Sequence, residues 1–204
     1  MNTVIFDFGN VVAFFDHWQA CRQLAALADN PVSDTVVFEE LFSTSLESDF
    51  DCGKISSREF IDRLKNLFSL KASDNAIINA WCNIFRPNEE VLSILPDLKK
   101  INMKLLLASN TNELHFQWII KQFATPLACF DDFILSYEIG CRKPAMPFFE
   151  KCVETARVAP RECIYVDDRA DFVSVATALR MSGIVYQPDI RLADTLRDLG
   201  IELL

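Results

Sequence analysis

Three carboxylates, one ammonium and a Ser-Asn pair each follow a short apolar run along this 204-residue chain. Asp7 comes directly after Thr3 to Phe6, Ser109 and Asn110 after Met103 to Ala108, and Asp167 and Asp168 after Cys163 to Val166; Lys143 lies in the stretch following Asp132 to Leu135. In open parallel sheets, ligands gather outside the carboxyl ends of the strands, so runs of this kind would deliver all six residues to one edge. Carboxylates collected at a dry edge repel one another unless a cation is bound among them or they share protons. A hard divalent ion held by oxygen answers that repulsion. With neither His nor Cys close to the pattern, Mg²⁺ suits it better than a soft metal. Such an ion, the Lys143 ammonium and the Ser109 hydroxyl would together make a pocket for a phosphoryl group.

The elements that must hold these residues are legible in outline. The four runs above and a fifth, Gly183 to Val185, are short and separated by stretches of helical period. Near-continuous apolar strands alternating with helices predict an α/β chain with a mostly parallel sheet covered on both faces. From about Asp16 to Arg86 the rhythm changes. Trp18, Cys21, Leu24, Ala25 and Ala28 recur at helical spacing, as do Phe60, Leu64 and Leu67, and no convincing strand intervenes. Ser56 with Glu59 three residues on has the form of a capping box that opens a helix. The expectation is an all-helical insertion at 16–86 within a core made of 1–15 and 87–204.

Composition removes several classes. The chain is 50% hydrophobic and 24% charged, with only 5 glycines, which excludes disorder and collagen-like repeats. A net charge of −9 leaves no broad footprint for nucleic acid or anionic lipid. No apolar run reaches the ~18 residues that a bilayer span requires. Seven cysteines without a CxxC pair read as buried, reduced thiols, and the first residues lack a basic segment of the secretory kind. A cytoplasmic protein is the expectation.

The stretches VIFDFGNVV (4–12), LLLASNTNELH (105–115), SYEIGCRKPAMPFFEKC (136–152) and IYVDDRADF (164–172) resemble, in order and spacing, the four motifs of the haloacid dehalogenase-like hydrolases. CGKISSREF (52–60) looks like part of the helical cap that many members insert after the first motif. DFGNVV and IGCRKP look most like the sugar-phosphate phosphatase branch close to the bacterial glucose-1-phosphatases and the phosphatase domain of epoxide hydrolases. The resemblance implies a Rossmann-like core and a Mg²⁺-dependent phosphatase that takes a small phosphate ester, a sugar phosphate among the candidates.

By the same resemblance Asp7 is the nucleophile that forms an aspartyl-phosphate, and one of its oxygens is a metal ligand. Ser109 bonds a phosphate oxygen, Asn110 adds an amide contact, and Lys143 neutralises phosphate and Asp7. Asp168 ligates the metal directly, with Asp167 one shell further out. Gly9 departs from the commonest pattern, in which a second Asp protonates the leaving group; its backbone carbonyl would still ligate the ion. Asp16, another residue of the insertion, or water are left as proton sources. Phe172 stands where the family often has Asn. Blander readings stand beside these: Asp7 as a turn former, Ser109 as the cap of a helix running from Thr111, Arg142 as a surface or cap-facing cation, His17 and His115 as surface or core histidines. Phe14, Phe15, Trp18, Phe50, Trp81 and Phe85 are read mainly as core of the insertion. Three other functions remain open: a 2-haloacid dehalogenase, which the paired aspartates disfavour, phosphoryl transfer to a sugar, and a phosphate-ester binding protein that has lost turnover.

Overall fold

The computed structural model describes residues 1–203. Strand β1 (Thr3–Phe6) is followed by a tight loop and the three-residue β2 (Ala13–Phe15). Five helices come next: α1 (His17–Ala25), α2 (Asp34–Phe42), α3 (Leu46–Asp51), α4 (Ser57–Phe68) and α5 (Asp74–Cys82). The chain returns through β3 (Phe85–Pro87), which pairs antiparallel with β2, Phe15 facing Phe85. Strands and helices then alternate: α6 (Glu89–Lys100), β4 (Lys104–Ser109), α7 (Glu113–Gln122), α8 (Ala124–Leu127), β5 (Asp132–Leu135), α9 (Ser136–Ile139) and α10 (Met146–Ala156). The remainder is β6 (Cys163–Asp167), α11 (Ala170–Ala178), β7 (Ser182–Val185) and α12 (Leu192–Asp198).

The five longer strands form one parallel sheet in the order β5-β4-β1-β6-β7. Alternation along the strands explains why it is buried on both sides. Val4, Phe6, Leu105, Leu107, Ile164 and Val166 join one apolar cluster, and Ile5, Leu106, Ala108 and Tyr165 join the other, because neighbouring side chains leave a strand on opposite faces. The second cluster is completed by α10 and α11 through Phe148, Phe149, Cys152, Phe172 and Ala176. The first runs without a break into Leu24, Leu41, Phe60 and Trp81 of the helical segment.

Every expected sheet strand is present; two keep their bounds and the other three move by one residue. Ser56 caps α4, and Glu59 completes the capping box. Two expectations need correction. The β2–β3 ribbon was not foreseen, because three residues are too few to show a period of two. The helix after β4 begins at Glu113, and its cap is Asn112, whose side chain accepts the His115 backbone N–H; Ser109 ends β4 instead. All seven cysteines are free, but Cys52, Cys129 and Cys141 are only half-buried. Among the described residues, no helix is long and apolar enough to cross a membrane.

Candidate active site

The chain passes from β1 to β4 on one side and later to β6 on the other, so β1 lies at the point where the strand order reverses. A crevice opens there at the carboxyl ends. It forms a cavity of about 220 Å³ whose lining includes Asp7, Gly9, Ser109, Asn110, Lys143 and Asp168.

Lys143 is the hub. Only 2% exposed, it donates to Asp7 Oδ1 at 2.8 Å, Asp167 Oδ2 at 2.7 Å and the Ala108 carbonyl at 3.1 Å, which uses all three ammonium hydrogens. Burial alone would lower its pKa, but the two touching carboxylates outweigh that and raise it. The Phe172 ring faces the ammonium with its centroid 5.3 Å away.

Burial pushes the Asp7 carboxyl up to about 7; Lys143 opposes this, while Asp167 and Asp168 add to it. Asp168 is raised chiefly by burial as well. One oxygen from each of Asp7, Asp167 and Asp168 lies within 4.8 Å of the others. Three carboxylates against one ammonium leave an excess of negative charge that a hard divalent cation would cancel, and an all-oxygen donor set suits Mg²⁺. The three acids are not equally available to it. Asp167 accepts from Lys143 and the Tyr165 hydroxyl on one oxygen and from the Arg169 backbone N–H on the other. Asp168 Oδ2 accepts from Asn10 Nδ2 at 3.0 Å, and its other oxygen has no such bond.

Asn110 lines the cavity, and its amide is partly engaged. Its oxygen accepts the Lys143 backbone N–H at 2.8 Å and its nitrogen donates to the Lys143 carbonyl at 3.1 Å. That amide clamps the Lys143 backbone, using one of its two hydrogens. Ser109, 4% exposed, makes only a 3.3 Å bond to its neighbour's carbonyl, which leaves its hydroxyl available to the cavity. Asp16 does not line the cavity: it caps α1 through the Trp18 N–H and pairs with Arg22 at 2.9 Å.

The helical segment supplies much of the opposite wall through His17, Glu47, Asp51, Ile84 and Phe85, with Phe15 of β2 beside them. Phe15 and Phe85 thus face the cavity, Phe50 and Trp81 are core, and Trp18 is 40% exposed, stacked on Phe38. Arg142 does reach toward that segment, where it pairs with Glu47 at 2.9 Å. Asn10, Glu47, Asp51, Asn112 and Tyr165 have no counterpart in the sequence reading. For Asn10 a signal existed: it follows a glycine and adopts φ 56, a conformation asparagine tolerates.

A family model for haloacid dehalogenase-like hydrolases matches residues 1–178. The chain belongs to that family. A D-ribitol-5-phosphate phosphatase from Bacteroides thetaiotaomicron is 27% identical over 93% of this chain and 92% of its own length. A sesquiterpene phosphatase from Aspergillus oryzae is 26% identical over 83% and 89%. Among solved structures, a family enzyme from Bacteroides thetaiotaomicron in complex with magnesium and inorganic phosphate superposes with a TM-score of 0.85 at 23% identity, over 97% of this chain and 100% of that one. An L-2-haloacid dehalogenase also superposes, with a TM-score of 0.68 at 17% identity, so the fold of these hydrolases alone does not choose between their chemistries.

Gly9 is where the chain departs from the commonest motif of these hydrolases, and the structure supplies a steric correlate. A Cβ at this position would lie 2.7 Å from the edge of the Phe15 ring. That ring is itself packed against His17 and Phe85. The space for a side chain here is already filled.

Proposed function

We propose that the protein is a magnesium-dependent phosphomonoesterase that hydrolyses a small sugar or polyol phosphate through an aspartyl-phosphate on Asp7. The observation that carries this reading is the meeting of Asp7, Lys143, Asp167 and Asp168 at the carboxyl end of β1, beside the Ser109 hydroxyl. The ribitol-phosphate phosphatase that matches nearly end to end supports the substrate class.

In this mechanism Lys143 fixes one Asp7 oxygen while the other attacks phosphorus, and the ester oxygen departs with the bonding pair. The Ser109 hydroxyl donates to a phosphoryl oxygen. Water then adds to the acyl phosphate, which returns the Asp7 carboxylate and releases inorganic phosphate. Asp7, Asp168 and the Gly9 carbonyl would hold Mg²⁺, with Asp167 outside the ligand set; when bound, the ion offsets the negative charge of the phosphoryl group. Gly9 carries no acid, so the departing alkoxide takes its proton from water. Residues 16–86 act as the cap over a core of 1–15 and 87–204, and the free thiols suit a reducing compartment such as the cytoplasm.

Phosphate release from a panel of sugar and polyol phosphates, with Mg²⁺ or with EDTA, tests the reading. Asp7→Ala should abolish release, and Lys143→Ala and Asp168→Ala should lower it by ~100-fold or more. Full activity in Asp7→Ala would overturn the covalent route. A second reading, binding of a phosphate ester without turnover, is favoured by the Phe15 ring against Gly9, and ester binding with no phosphate released is its signature. Chloride release from a 2-haloacid without metal would instead mark a dehalogenase.

A further inference from the structure

Opposite the nucleophile, a second polar group forms the cavity wall. Glu47 and Asp51 are one turn apart and project from the same face of α3. Arg142 donates to Glu47 at 2.9 Å and lies 3.8 Å from Asp51. Asn112 donates to Asp51 Oδ1 at 3.0 Å. Its other amide hydrogen points to His115 Nδ1 at 3.2 Å, and its oxygen accepts the His115 backbone N–H at 3.0 Å.

That last bond fixes the amide orientation, since a backbone N–H can only donate. His115 Nδ1 is therefore an acceptor, and Nε2–H donates to the Trp81 carbonyl at 3.2 Å. Burial pushes this imidazole down to about 3 and lowers that of His17, so neither ring brings positive charge to the wall. Among the described residues, Arg142 is the one cation paired with either acid. Two full carboxylates would leave an unbalanced charge where Asp51 is only 4% exposed. Burial, then the Glu47 charge, pushes Asp51 well above the usual carboxylate range, against the pull of Arg142.

We propose that the Glu47–Asp51 pair, braced by Arg142 and Asn112, is the subsite that reads the leaving alcohol, accepting neutral hydroxyl groups and rejecting leaving groups that carry a second negative charge. This rests on the phosphatase reading and names what that cavity selects. A hydroxyl can donate to a carboxylate oxygen, whereas a carboxylate or second phosphate only accepts and would meet two acids held by a single guanidinium. Arg142 does not reverse the preference, because its charge is already matched by Glu47.

The test compares kcat/KM for ribitol 5-phosphate with that for phosphoglycolate, whose leaving alcohol carries a carboxylate, in the full chain with Mg²⁺. Wild type should favour ribitol 5-phosphate by about tenfold or more, and Glu47→Gln and Asp51→Asn should narrow that ratio by about tenfold, chiefly through KM. If Asp51→Asn does not fold, Glu47→Gln, at a less buried position, carries the comparison. A wild-type preference for phosphoglycolate, or a ratio unchanged within about twofold in the folded variants, overturns the subsite. A wild type that releases phosphate from neither substrate, nor from 4-nitrophenyl phosphate, overturns the phosphatase reading and this inference with it.

Discussion

Asp7, Lys143 and Asp167 form a chain of charge in which the ammonium is shared between two carboxylates and one carbonyl. Replacing Gly9 with Asp would restore an acid two residues after Asp7, yet that side chain would meet the Phe15 ring. Gly9→Asp alone should therefore lower the melting temperature and leave turnover low. Combined with Phe15→Ala it should raise kcat above that of Phe15→Ala by ~100-fold, the lower range for general acid catalysis. Phosphate-release kinetics on the two backgrounds would decide it, and equal rates would mean that residue 9 does not face the departing oxygen. At this scale the sequence was informative wherever a polar residue ended an apolar run. Asp7, Ser109 and the Asp167–Asp168 pair were legible for that reason. Asp51 was not, because nothing local marks a helical Asp as buried; only the approach of Arg142 and Asn112, 91 and 61 residues away in sequence, does so.

Among the elements, those with strong local signals were the easiest to read: five apolar strands and the capped α4. The β2–β3 ribbon depends on two three-residue pieces that meet across about seventy residues, and no window of sequence contains both. A related long-range constraint falls on Gly53, just after α3, with φ +65 and a Cβ position only 2.2 Å from the Tyr137 carbonyl on α9. Gly53→Ala should destabilise the protein by ~2 kcal/mol or more, since both the backbone conformation and the contact resist a methyl group. Chemical denaturation measures this directly. A loss below ~0.5 kcal/mol would show that α3 and α9 separate easily.

For the whole molecule, the net charge of −9 opposes an anionic ester approaching from solution. Raising KCl from about 20 to 150 mM should shorten the reach of that repulsion and increase kcat/KM about twofold, the reverse of a steered enzyme. A fall with salt would mean that the field at the cavity mouth is positive. The residues that bracket the helical segment stand side by side, Phe15 against Phe85, and both face the cavity. A stretch that leaves and rejoins its host at adjacent points can change length or content without altering the order of the five strands. If residues 16–86 act as the proposed cap, new selectivity can arise in them while the reacting carboxylate stays where β1 places it, provided each replacement still covers the apolar cluster that the segment shares with the sheet.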